Sequence, residues 1–535
     1  MLGPPKTPRR DELFLSSLEQ RLPADHFYRR LDTKLDLSFV RDWVADKYAA
    51  IGRPSIDPVV FFRLQLILFF EGLRSERKLI EAADLNIAHR WYLGYGWDEP
   101  LPDHSSLSKI RARLGLEVFE RFFNRVVELC CEAGLVWGKE LYFDGTKVQA
   151  NAALTSLRTR WSVAARDHLA ALFTEEEPSG PAPYALPPDA ADAPEATPEP
   201  ASAPAPAAPD PAAPERLPFP GTAEAEQQLA AENQAQWKLL DEHRHPPDER
   251  SRSRGYQRLS DDQVSTTDPD ATPMRRFSGD RASLGYHDQY VVDGGKHRII
   301  LAAFVTPADI MDNTPMLDLY RRVCFRWQLQ PERVVADAKF GTGPNLEALL
   351  AAGTTPYIPV PDFDQRTEFY GPSHFRYDPE RDEYVCPQGQ PLPFWREKPT
   401  EEVRVYRADA HTCWICPVRD ACTASGDGRI IQRSYYADAI EQVKGSRETA
   451  AYKKAMRKRK LWPEPLFGEA KQWHNLRRFR LRGLWKVNTE ALLVAAGQNL
   501  KRWLKATGWR GRTGPAGGLA LAAFASLCAV FSEIN

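Results

Sequence analysis

The pattern of apolar and polar positions divides the chain into stretches of different period. Through about residue 135 the apolar residues recur at helical spacing. Val59–Leu73 carries them around most of its circumference, which predicts a buried helix. Ser75 is placed to cap Glu76–Ala83, Asp84–Asn86 supplies turn residues, and Ile87–Leu93 can form a further short helix. Ser106 is placed to cap Ser108–Leu114 and Gly115 to end it, and Leu116–Ala133 reads as a longer amphipathic helix closed by Gly134. Residues 75–93 have helix-turn-helix spacing, and the functional reading of that spacing is DNA binding. Without clustered basic residues an ordinary helical bundle explains it too, and is the plainer reading.

Beyond Lys139 the period shortens to that of strands. Glu140–Val148, Gly285–Asp293 and His297–Val305 predict three strands, and Asn313–Gln328 a helix. Glu332–Asp337 predicts a short strand buried on both faces, Pro344–Ala352 a helix ended by Gly353, and Pro356–Val360 a last strand. Three strands followed by helix, strand, helix, strand predict a mixed α/β sheet of α+β character rather than a bundle. Residues 175–220 interrupt this order. Fifteen prolines lie between Pro178 and Pro220, and no Lys or Arg between Glu175 and Glu215. Such a segment cannot bury enough surface to offset its ordering entropy, so it is predicted to be disordered. Thr222–Glu242 reads as helical, Arg250–Thr267 as irregular, and the apolar tail Leu519–Phe531 as a packing helix.

Length adds a soft prior of three or four domains for 535 residues, with 43% hydrophobic and 27% charged residues, an ordinary globular mix. The net charge of -1, from 71 basic and 72 acidic residues, excludes a uniformly cationic coat but hides a local asymmetry. From Ala451 to Arg512 there are seventeen Lys or Arg against three Glu, a local charge near +14, with Trp462, Trp473, Trp485, Trp503 and Trp509 interleaved. That is the electrostatic footprint of a surface for phosphate backbones, and it is compatible with a helix whose Leu492, Leu493, Leu500 and Leu504 face a core. The longest apolar runs, Val59–Phe70 and Gly518–Phe531, fall short of the roughly 18 to 20 residues of a membrane helix. The first residues hold no apolar h-region. The expected compartment is therefore the reducing cytoplasm, where clustered cysteines point to metal or catalysis rather than disulfides.

Three acids stand out by placement. Asp144 lies within or at the end of the first strand, Asp337 ends VVAD, and Glu464 stands near the start of a C-terminal helix. An acid in an apolar strand is costly to bury alone, and two on neighbouring strands repel unless a cation sits between them. Oxygen donors select hard divalent cations, so Mg²⁺ or Mn²⁺ is the natural guest, and a pair of such ions suits phosphodiester chemistry. For Asp144 and for Asp337 alone, a plain turn is an equally good reading. Cys386, Cys413, Cys416 and Cys422 are spaced C-x26-C-x2-C-x5-C, which suits a structural tetrahedral Zn²⁺; the alternative is four unrelated buried cysteines. Cys130, Cys131, Cys324 and Cys528 lie in apolar stretches and read as core, and His297 as structural.

The segments FDGTKVQANAA, VVADAKFGTGPN and PEPLFGEAKQWHNLRRFRLRGLWKVN resemble the three catalytic blocks of bacterial insertion-sequence DDE transposases, in the branch with a cysteine-rich insertion. Ser265–Ala271 and Leu284–Asn313 resemble the same family's sheet region, and Ile56–Gly115 its helical domain. The resemblance implies an RNase H-like catalytic domain in which Asp144, Asp337 and Glu464 hold two Mg²⁺ or Mn²⁺ ions. Lys471, seven residues after Glu464 and so on the same helix face, would grip a DNA phosphate. Glu469 is a rival third acid; Glu464 is preferred because the family glutamate precedes Phe-Gly, here Phe467-Gly468. The family usually carries Tyr and Arg seven and four residues before the glutamate, where this chain has Arg457 and Lys460, and Lys460 keeps the charge but not the planar fork.

The implied organisation is a helical DNA-binding part at 1–135 and an RNase H-like domain that begins at 136–174. A linker at 175–220 follows, then the continued catalytic domain at 221–360, a zinc insertion at 361–445, and a C-terminal helical part at 446–535. Lys460, Lys471, Arg477, Arg478 and Arg480 would bind DNA. The implied activity is cutting at the ends of the element and joining 3′ ends to target DNA. The implied partners are double-stranded DNA and further copies of the chain, with no membrane and a nucleoid-associated location. A metal-dependent nuclease of the same fold, and a zinc-stabilised DNA-binding protein with vestigial carboxylates, are the alternatives.

Overall fold

The computed structural model describes residues 16–48, 55–174, 262–275, 279–361, 364 and 368–508. The linker, the Thr222–Glu242 segment, Trp509, Cys528 and the apolar tail lie outside the described residues.

Helices α1 (Leu18–Arg21), α2 (Phe27–Lys34), α3 (Phe39–Val44), α4 (Pro58–Phe70), α5 (Glu76–Leu85), α6 (Ile87–Leu93) and α7 (His104–Glu132) form the N-terminal layer. α4 starts where Asp57 accepts the Val59 N–H at 2.8 Å and Pro58 fills the first turn. It then buries Phe61, Phe62, Leu64, Ile67 and Phe69 on several faces, as an all-round apolar sequence requires. Two sequence expectations change here. Ser75 stands at the start of α5 without a side-chain cap bond, and the α7 cap is Asp103, which accepts the Ser105 N–H at 2.8 Å, rather than Ser106. At Gly115, with φ 71° and ψ 176°, the helical conformation breaks, so α7 is two helices that meet at a kink and Gly115 ends the first of them, as the sequence pattern predicts. α6 buries Ala88, His89, Arg90, Tyr92 and Leu93, and its Arg90 is tied to Asp84 and to the carbonyls of Gly96 and Glu99. That leaves this helix little surface to offer a DNA groove.

The sheet is built from β1 (Glu140–Gln149), β4 (Thr272–Met274), β5 (Ser283–Asp293), β6 (Ile300–Pro307), β7 (Arg333–Val335) and β8 (Thr355–Tyr357). The path β4-β5-β1-β7-β8 carries β6 beside β5. β5 runs antiparallel to β1 and β6, while β1, β7 and β8 are mutually parallel. A short β2–β3 pair (Leu157–Thr159 with Gln263–Ser265) lies apart. The third strand begins at Ile300, three residues later than the sequence pattern places it, because a tight turn through Arg298, at φ 52°, intervenes.

β6 would be an exposed edge. The helix Leu484–Ala506 covers it with two side-chain amides. Asn499 accepts from the Ile300 N–H at 2.9 Å and donates to its carbonyl at 2.8 Å, and Asn488 does the same at Val305 at 2.9 and 3.0 Å. One apolar core runs from Leu22 in the N-terminal layer, through the sheet, to Leu504 in this helix. A second, smaller core around Phe375, Tyr384, Leu392 and Tyr406 belongs to an antiparallel five-stranded sheet. Its strands are β9 (Arg376–Asp378), β10 (Glu383–Val385), β11 (Pro391–Lys398), β12 (Val403–Arg407) and β13 (Ile430–Ser434), and the connections between them hold all four clustered cysteines.

Candidate active site

Register brings the first two acids side by side. β1 pairs with β7 in parallel, Tyr142 opposite Val335, so Asp144 and Asp337, each two residues further on, leave neighbouring strands at the same height. β1 is buried from Leu141 to Phe143 and opens to a half-buried face from Asp144 onward. Asp337 stops the chain from continuing as strand: its carboxylate accepts the Lys339 N–H at 2.9 Å and caps a short turn. Glu464 is exposed in the first turn of the helix Glu464–Trp473.

The charges of the other two acids reach Asp144. Burial pushes the Asp144 carboxyl up to about 6, and the charges of Asp337 and Glu464 add to this, while Arg459 and the Gly145 N–H oppose it. The Arg459 guanidinium stands 4.0 Å from Asp144. Lys471, on the Glu464 helix, donates to Thr146 Oγ1 at 2.5 Å, two residues along β1 from Asp144. Glu469, the other acid of this helix, has partners of its own. It is half-buried among His474, Lys501 and Arg502, which outweigh the effect of burial and hold its carboxyl far below the usual range.

Two parts of this site escaped sequence reasoning. Arg459 lies in the run Arg457–Lys460, where four consecutive cations conceal which one turns inward; Arg457 and Lys460 remain exposed. The other part is a trio at the edge of the core, in which buried His287 Nδ1 lies 2.7 Å and exposed Lys339 Nζ 2.9 Å from the Asp312 carboxylate. Burial opposes ionisation of Asp312, but His287 and Lys339 hold it well below the usual range. Its signal was present as His287-Asp288-Gln289, three polar residues inside an otherwise apolar strand.

The proposed DNA contacts separate into two kinds. Lys460 and Arg477 are exposed. Arg478 bonds the Ala150 carbonyl at 3.1 Å and Asn151 at 3.2 Å, and Arg480 pairs with Glu76 at 2.7 Å, so both also tie the C-terminal segment to its neighbours.

The cysteines are near one another but not joined. Cys386 accepts the Gln390 N–H at 3.3 Å in the β10–β11 turn, and Cys413 accepts the Arg429 N–H at 3.5 Å. Burial raises the Cys422 thiol; Arg429 opposes this, and Cys413, Cys386 and Cys416 add to it. Among the described residues, however, no three His, Cys, Asp or Glu side chains stand close enough to hold a metal ion. The expected four-sulfur zinc site is therefore not present as side-chain geometry, and the acids do not form a finished coordination sphere. Among the described residues no helix is long and apolar enough to cross a membrane.

The fold is mixed α+β, with Asp144 within β1, Asp337 just beyond the parallel neighbour β7, and Arg459 and Lys471 beside β1. Two family models match the chain: a transposase domain (DUF772) over residues 16–113 and a transposase DDE domain over residues 385–504. These two parts of the chain are thus similar to domains of DDE transposases, and each model covers less than half of the chain. No curated protein and no solved structure matches the chain.

Proposed function

We propose that this protein is a DDE transposase that cuts at the ends of its own element and joins the 3′ ends to target DNA, with Asp144, Asp337 and Glu464 as the acidic set of an RNase H-like domain. The observation that carries the reading is the coupling of Asp144 to both other acids, which lie far away in sequence. The sheet order and the parallel β1–β7 register support the RNase H-like assignment.

The chemistry of three carboxylates suits hard divalent cations, although the side chains would have to draw together to hold one. Mg²⁺ or Mn²⁺ bound there, as a pair, would activate the attacking oxygen and stabilise the leaving one. The protein's own part is positional. Thr146 fixes Lys471 beside β1, and Lys471 meets a phosphate as a point charge on the Glu464 face. Arg459 faces Asp144 from the preceding helix and restrains its carboxylate. Arg477 and Lys460, both exposed, extend the path for the DNA backbone, and Arg478 and Arg480 shape its floor.

We infer that a structural zinc would draw Cys386, Cys413, Cys416 and Cys422 together, since their sulfurs do not form a closed site here. The N–H groups that donate to the Cys386 and Cys413 sulfurs support it, as outer-shell bonds of the kind that orient metal-ligating side chains. The protein acts as a homo-oligomer on DNA in the cytoplasm.

The test is a plasmid carrying the element with its ends, incubated with Mn²⁺. Cleavage and joining are expected from the wild type, and neither from Asp144→Asn, with DNA binding retained in both. Cleavage without joining would point to a nuclease of the same fold. Cleavage that survives Asp144→Asn would overturn the acid assignment.

A further inference from the structure

Three side chains lead from the core to the surface beside Asp337. His287, on β5, is 6% exposed, and its Nδ1 lies 2.7 Å from one oxygen of Asp312. Its Nε2 has no hydrogen-bond partner among the described residues, so no other bond draws the ring away from Asp312. Asp312 stands in the connection between β6 and the helix Met316–Trp327, and its other oxygen lies 2.9 Å from Lys339 Nζ. β1 leaves room for this carboxylate. A Cβ on Gly145 would stand 3.8 Å from Asp312 Cγ, so a larger side chain at that position would meet it. Gly145 follows Asp144, which brings the trio to within one residue of the first acid.

Lys339 is the open end of the chain. It lies two residues past Asp337, which accepts its backbone N–H at 2.9 Å, and its side chain is 64% exposed. The charges of Asp337 and Asp144 reach its ammonium. A tie between a carboxylate and an exposed lysine adds little to stability and costs side-chain entropy, so stability is a weak reason for it. An ammonium carries three donors; Asp312 takes one, and the others can serve an incoming acceptor. Lys471 meets β1 at Thr146, on the face that carries Asp144, whereas the trio meets β1 at Gly145, on the alternate face. Two lysines from different elements thus flank the acids.

We propose that Lys339 is a second phosphate-binding residue of the candidate active site, and that Asp312, backed by His287, is its positioning residue. This rests on the proposed function, because the phosphate belongs to the DNA held there. Lys471 takes the backbone beside Thr146, and Lys339 takes it beside Asp337. Asp312 fixes where the ammonium stands, so losing it harms rate more than affinity.

The experiment follows binding of the full chain to a fluorescent random-sequence duplex in EDTA, from about 50 to 200 mM salt. Lys339→Ala should weaken binding and lower the salt slope by roughly one unit, and Lys339→Arg should restore the slope. Asp312→Asn keeps the lysine and should keep the slope. With Mn²⁺ and saturating plasmid carrying the element's ends, Asp312→Asn should cut roughly tenfold more slowly, and it should cost nothing further when added to Lys339→Ala. A slope unchanged in Lys339→Ala but lowered in Lys471→Ala would overturn this inference alone. Slopes unchanged in both would overturn the DNA path at these acids together with it. Additive losses from Asp312→Asn and Lys339→Ala would overturn the positioning role of Asp312.

Discussion

Replacing Asp144 with Asn should make the metal-free protein more stable while abolishing its chemistry. The Asp144 side chain is 13% exposed and its carboxyl is raised from 3.8 to about 6, chiefly by burial. A shift of about two units corresponds to about 3 kcal/mol at roughly 1.4 kcal/mol per unit. The sign follows from which state holds the proton more tightly. Below about pH 4 the group is protonated in both folded and unfolded chains, and it contributes nothing to the difference. Between about pH 4 and 6 the unfolded chain ionises first, so the wild type loses stability as the pH rises. Above about pH 6 the full deficit is present, and an amide of the same size escapes it. Urea unfolding in EDTA should therefore show Asp144→Asn more stable by about 2 to 3 kcal/mol at pH 8 and indistinguishable from the wild type near pH 4. Added Mn²⁺ should reverse the order, since a ligand bound at a hundred times its dissociation constant stabilises by about 2.7 kcal/mol and the variant has lost a donor. A variant no more stable than the wild type at pH 8 in EDTA would show that burial does not strain this carboxylate. Equal stabilisation of both proteins by Mn²⁺ would place the metal elsewhere.

Other outcomes follow from the same structure. Glu469→Gln leaves Lys501, Arg502 and His474 facing a neutral partner and should cost about 3 kcal/mol in urea unfolding. Glu464→Gln, at an exposed position, should change stability by less than about 0.5 kcal/mol yet remove cleavage. Lys458→Ala strips Glu140 of a partner at 2.7 Å, leaving it with Tyr142 and Arg333, and thermal unfolding should show a loss of about 3 kcal/mol. Asn499→Leu uncovers two backbone groups of β6, so a loss of about 2 kcal/mol and concentration-dependent aggregation by light scattering are expected. Metal analysis of the purified chain should find one zinc per chain, lost in Cys413→Ser; absence of zinc from the wild type would remove the structural-metal assignment.

Local chemistry by itself determined much of this molecule. The change of period near Lys139, the doubly apolar VVAD strand and the glycine-ended helices were legible because side-chain spacing and backbone preference act over a few residues. The acids Asp144, Asp337 and Glu464 were legible by position, since an acid at the end of an apolar strand or at a helix start is an exception that spacing exposes. What the sequence could not say was that Asp144 and Asp337 fall at the same height on the paths of neighbouring strands. That required the parallel register of β1 and β7, which is set by contacts between residues nearly two hundred positions apart. Likewise, nothing local distinguishes Arg459 from its cationic neighbours, or Asn488 and Asn499 as caps for a strand edge, because the partner of each lies on another element. The tertiary fold also made Glu469 an ion-pair centre, since Lys501 and Arg502 reach it only when the last helix packs against the Glu464 helix. It showed α6 to be too buried to offer much to a DNA groove. Spacing decides which face of an element is apolar; only packing decides what that face, and the charges beside it, come to touch.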